Sequence, residues 1–81
     1  MTIYEFISLK SMDEKAEAVW CGHLIAERAV KRRVILLFWV HSFFVEVYYD
    51  QDDNQIKKFA PFKSTRKLDP YLAKIQLEAS L

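Results

Sequence analysis

Seven consecutive apolar residues at positions 34–40, Val-Ile-Leu-Leu-Phe-Trp-Val, constrain this chain more than any other feature. The run is too short for a buried helix and is rich in branched and aromatic side chains, so it reads as a central strand that needs cover on both faces. His41 and Ser42 then turn the chain into Phe43–Asp50, where Phe43, Val45, Val47 and Tyr49 line one face and Phe44, Glu46, Tyr48 and Asp50 the other. The two runs together predict a hairpin at the heart of a sheet. They do not predict a membrane span, because His41, Ser42 and Glu46 interrupt a stretch that already falls short of the roughly 18–20 apolar residues required.

Further elements follow on either side. Thr2 and Glu5 have capping-box spacing, with Ile3, Phe6 and Ile7 on one face of a short helical turn. Ser11 and Glu14 repeat that spacing ahead of Met12, Ala16, Val19 and Trp20, an amphipathic stripe that predicts a helix over 12–21. Gly22, the only glycine, stands where a left-handed C-terminal cap would use it. From His23 the period becomes two, placing Leu24 and Ala26 on one side of a first strand and His23, Ile25 and Glu27 on the other. Lys31, Arg32 and Arg33 break the chain before the central hairpin. Residues 51–55 form an Asp/Asn-rich turn into a fourth strand over 56–62, and Pro61 places that strand at an edge. Asp69-Pro70 reads as the start of a last helix, with Leu68, Tyr71, Leu72 and Ile75 buried, running to about Leu77. The expected fold is therefore α+β: a single domain over 1–81, a four-stranded antiparallel meander flanked by N-terminal helices and one C-terminal helix, in the order α-α-β-β-β-β-α.

Twelve Lys plus Arg against eleven Asp plus Glu leave a net charge of +1, so no overall field draws the chain to nucleic acid or to anionic membranes. The charge is unevenly laid out: residues 1–27 are acidic and residues 54–81 basic. One cysteine allows no internal disulfide. Nothing in residues 1–10 reads as a secretory signal, so a cytoplasmic location is expected, without membrane attachment.

Catalytic and metal chemistry each lack a part. Cys21, His23 and His41 are the only soft or imidazole ligands, and Cys21 with His23 forms a single pair with no second pair at zinc-finger spacing. Asp50, Asp52 and Asn54 imitate the start of a calcium loop, but Gln55 stands where that loop needs glycine and Pro61 where it needs a closing glutamate. One glycine cannot make a phosphate-cradling loop. Glu46, inside an otherwise apolar strand, is expected to pair with Arg28 or Arg33 on a neighbouring strand. No enzyme, metal or cofactor is expected.

The apolar excess of the middle strands points to association. With about 20 helical residues available, one sheet face is expected to be covered well and the other poorly. Ile35, Leu37, Trp39, Phe44 and Tyr48 would form the open face, an interface in a self-associating module, most simply a homodimer centred on Trp39, with an unknown protein as the other possible partner. The acidic and basic thirds of the chain would then meet as complementary charge at the rim. The alternative is nucleic-acid binding through Lys57, Lys58, Lys63, Arg66 and Lys67, interleaved with aromatic residues.

Tyr4-Glu5-Phe6, the run 14–20 (Glu-Lys-Ala-Glu-Ala-Val-Trp), the strand 43–49, and Phe62-Lys63-Ser64-Thr65 leading to Leu68-Asp69-Pro70-Tyr71-Leu72 resemble a set of short bacterial proteins of unassigned function. The likeness runs end to end. It implies a bacterial, cytoplasmic, single-domain protein acting as an accessory or interaction partner, and it carries over no site residue.

Overall fold

The computed structural model describes residues 1–71. Two helices, α1 (Ile3–Ile7) and α2 (Met12–Trp20), precede four strands, β1 (His23–Val30), β2 (Arg33–Val40), β3 (Phe43–Asp50) and β4 (Gln55–Phe62), and a 3-10 helix (Thr65–Tyr71) follows. The strands form one antiparallel sheet in sequence order, β1-β2-β3-β4. The α+β meander expected from the sequence is thus present, with a 3-10 helix as its last described element.

Local chemistry starts both α-helices. The Thr2 hydroxyl accepts from the Glu5 N–H at 3.2 Å while the Glu5 carboxylate accepts from the Thr2 N–H at 2.8 Å, a complete capping box. Ser11 caps α2 by accepting from the Glu14 N–H at 3.1 Å. Gly22 is not a left-handed cap: Cys21 ends α2 in the right-handed region, and Gly22 has no positive φ. Its reason is space, because a Cβ there would stand 2.4 Å from the Trp39 carbonyl oxygen.

With its one glycine used for that close approach, the chain makes its three hairpin turns from other residues. Lys31, His41 and Asn54 hold φ values of 58°, 61° and 58°. At the tightest of them the Ser42 N–H donates to the Val40 carbonyl at 2.8 Å.

Strand alternation assigns each side chain to one of two faces. Leu36, Val47 and Phe59 share one cross-strand row, as do Phe38 and Val45. This face meets α1 and α2, and Phe6, Val19, Phe38, Val40, Phe43, Val45 and Val47 close its core. The opposite face carries the rows Leu37–Glu46–Ala60 and Trp39–Phe44–Phe62. There Leu37, Phe62 and Tyr71 form a second, smaller core under the 3-10 helix. We call these the helix face and the Tyr71 face.

Two details depart from simple alternation. A bulge between Leu24 and Ala26 puts Leu24 opposite Phe38 and Ala26 opposite Leu37, so the two lie on different faces rather than on one. A second bulge makes Lys57 the extra residue of β4, between Ile56 opposite Tyr49 and Lys58 opposite Tyr48. The last helix also departs from expectation. It begins at Thr65, where the Arg66 N–H donates to the Ser64 hydroxyl at 3.3 Å, and Pro70 lies near its end rather than in its first turn. A 3-10 turn bonds only three residues back, and short pieces of it form where a proline denies the chain a regular α-helix. The part of the expected helix from 72 to 77 lies outside the described residues. Among the described residues no helix is long and apolar enough to cross a membrane.

Candidate functional site

The Tyr71 face holds the one buried charge in the described core. Glu46, 6% exposed, stands in the middle of β3. The Tyr71 hydroxyl donates to its Oε2 at 2.7 Å and the Tyr48 hydroxyl to its Oε1 at 3.4 Å. Arg28 on β1 donates to Oε2 at 3.4 Å, and its guanidinium lies 5.3 Å from the centroid of the Tyr71 ring. Of the two partners anticipated for Glu46, Arg28 is therefore the one it meets. Arg33 has no place in the cluster, since it sits opposite Asp50 at the far end of β2.

Each member of the cluster tunes the others. Burial, then the hydrogen bond to the Glu46 carboxylate, pushes the Tyr71 phenol well above its ordinary range, and the Arg28 cation only partly offsets this. Burial also raises Tyr48, with the negative charge of Glu46 acting the same way. Hydrogen bonding to Tyr71, together with the Glu46 charge, raises Arg28 against the opposing cost of its own burial. The Arg28 Nε is buried without a hydrogen-bond partner. Both tyrosines are donors fully protonated at neutral pH, so the cluster fastens structure and offers no proton acceptor beyond Glu46 itself.

Alongside it, the Trp39–Phe44–Phe62 row forms a continuous aromatic strip. The Trp39 and Phe44 rings stand 4.8 Å apart and tilted, and Phe44 stacks on Phe62 at 5.3 Å and 21°. Phe62 is buried, whereas Trp39 and Phe44 are only partly so. Of the five interface candidates, Ile35 and Leu37 are buried at 3% and 0% exposure and present no open surface. Leu37 lies in the Phe62–Tyr71 core, and Ile35 sits in the row between Arg28 and Tyr48. Trp39, Phe44 and Tyr48 remain accessible in part.

The basic residues divide. Lys58 lies 4.6 Å over the Tyr48 ring and Lys67 5.7 Å over Phe62, both on the Tyr71 face and only Lys67 on the aromatic strip. Lys63 and Arg66 are exposed around the 3-10 helix. Lys57 instead pairs with Asp53 across the β3–β4 turn. That turn is closed by its own side chains, the Asp52 N–H donating to Asp50 at 2.8 Å and the Gln55 N–H to Asp53 at 3.2 Å, a solvated hairpin of the kind that the failed calcium pattern suggested. Cys21, His23 and His41 line one small cavity with Trp39 at the opposite end of the sheet, and among the described residues no cluster of three such groups can hold a metal ion.

Sequence reasoning named no residue of a further groove. It lies on the helix face, where α2 stands off the sheet and leaves a groove of about 570 Å³ floored by Leu36, Val47 and Phe59 and walled by Met12 and Trp20. The exposed stripe residues of α2 carried that signal: Met12 and Trp20 belong to its apolar face, yet remain 44% and 49% exposed. No protein-family model, curated protein or solved structure matches the chain, so the function must be read from this geometry.

Proposed function

We propose that the chain is a small non-enzymatic interaction module that associates with a second copy of itself through the Trp39 end of the Tyr71 face. The observation behind this reading is the partly exposed Trp39–Phe44 pair, 4.8 Å between ring centres and backed by buried Phe62. Large rings already held rigid lose little entropy on contact, which is the character of an interface anchor. In this reading the rim charge anticipated from the sequence is not what binds the copies. The acidic helices pack on the helix face, away from Lys63, Arg66 and Lys67, so apolar contact at Trp39 and Phe44 must supply the affinity. Sedimentation of wild type and Trp39→Ala over a concentration series tests the proposal. Expected is a dimer that shifts toward monomer in the variant, by about 2 kcal/mol if Trp39 is a hot spot; a wild-type monomer at high micromolar concentration overturns it.

One observation favours a second reading, nucleic-acid binding. Lys58 over Tyr48 and Lys67 over Phe62 lie on the same sheet face as the aromatic strip, so cations for phosphates and rings for bases share one surface. Salt separates the two. Phosphate-led binding to a single-stranded oligonucleotide weakens steeply as ionic strength rises, whereas apolar self-association does not. Absence of any shift at low salt removes this second reading.

A further inference from the structure

We infer that the groove between α2 and the sheet is a binding site for a small amphiphile with an apolar body and one cationic head, an alkyl or aryl ammonium. The site lies on the face opposite the proposed self-association surface and does not depend on it. Its volume, about 570 Å³, falls within the range of small-ligand pockets. Its floor of Leu36, Val47 and Phe59 belongs to three adjacent strands, so the site is built on rigid elements. Met12 and Trp20 spend nearly half of their surface on solvent at its wall, although they lie on the apolar stripe that should be buried. An apolar occupant would recover that loss.

The polar groups choose the head. Among the described residues Asp13, in the first turn of α2, is the only charged one lining the groove; the other polar groups there, Tyr49, Asn54 and Gln55, are neutral. Lys57, next to Ile56 on β4, is engaged by Asp53 and does not offset that charge. The Trp20 ring packs on Phe38 at 5.3 Å and stands edge-on to Phe59 at 6.4 Å, so its orientation is held from beneath while it remains half in solvent. An ammonium placed between the Asp13 carboxylate and this ring meets opposite charge on one side and an aromatic quadrupole on the other. A carboxylate head meets the repulsion of Asp13, with only the neutral donors of Tyr49, Asn54 and Gln55 to set against it.

Three probes with the same tail separate head from body: n-octylamine, 1-octanol and octanoate, titrated calorimetrically into the wild-type chain at pH 7. The amine is expected to bind about fivefold tighter than the alcohol, and octanoate more weakly than either. Emission from Trp20 in the Trp39→Phe variant, where it is the sole indole, should report the same order. Asp13→Asn should reduce the preference for the amine while leaving octanol unchanged, and Ala16→Leu, which fills the groove from α2, should abolish binding of all three. Equal binding of the three heads, no detectable binding, or a preference undiminished by Asp13→Asn overturns the proposal. So does binding that is indifferent to Ala16→Leu.

Discussion

The two faces of the sheet are covered by different physics. On the helix face, α1 and α2 contribute Phe6 and Val19 to a dry core in which every member of the cluster is apolar. On the Tyr71 face the cover among the described residues is a single 3-10 helix, and a contact that fastens it is a phenol on a buried carboxylate at 2.7 Å. Burial of area is forgiving in direction, and its strength adds up over many contacts. A charged hydrogen bond is directional and concentrated at one point, and loss of either partner leaves the other exposed to a cost it cannot relax away. The first face should therefore lose stability in proportion to volume removed, and the second in steps.

The largest step expected in either face is Phe43→Ala, which empties a fully buried ring site beside Phe6 and should cost about 3–5 kcal/mol by denaturant unfolding. Glu46→Ala should approach it at about 3 kcal/mol, because Arg28 and two phenols lose their common acceptor; a loss below 1 kcal/mol would place the Tyr71 face under the same volume rule as the other. Tyr71→Phe keeps the ring and removes one donor, for about 1–2 kcal/mol.

The same residue gives the comparison a pH axis. The folded-state pKa of Tyr71 is raised, so its contribution is fully present below the unfolded value of about 10 and is lost as pH climbs beyond it, when the unfolded chain releases its proton first. Stability should fall above about pH 10 more steeply in wild type than in Tyr71→Phe. Parallel curves would show that Tyr71 is not the sensitive group. The smallest expected effect is at a turn that serves both faces equally: His41→Gly relieves the positive φ and should gain about 0.5 kcal/mol, read as a raised denaturation midpoint.

Much of the helix face was legible in the residues. The apolar run 34–40, the alternation in Phe43–Asp50 and the caps at Thr2 and Ser11 are local patterns with local causes; α1, α2 and β3 start where they place them, and β2 starts one residue earlier, at Arg33. Glu46 was legible as an anomaly, a lone acid among apolar neighbours, and its partner followed from strand adjacency. The rest depends on distance in space. Gly22 is needed for a carbonyl on β2, seventeen positions downstream, which no helix-end pattern announces. The bulge at Ile25 changes which side Ala26 faces without any proline or glycine to mark it. The fate of Ile35 and Leu37 turned on whether a seven-residue 3-10 helix would reach across the Tyr71 face, and the groove on the other face exists because α2 rests on its Val19 edge and leaves Met12 and Trp20 proud of the sheet. Such offsets of a packed element are set by the shapes that meet, and hydrophobic period alone does not encode them.

The order of the strands bears on how fast the molecule is made. Each strand pairs only with its neighbours in sequence, across turns that are two to four residues long, so no pairing must wait for a long loop to close. The hairpin of β2 and β3 can form first and the outer strands add to it by zipping. The closure that spans most of the chain is made by α1, whose Phe6 ring meets Phe59 of β4 at 6.4 Å and joins the first element to the last strand. Refolding of this small sheet should therefore run at the quick end of the range for β-rich domains, with the docking of α1 as its slowest entropic step.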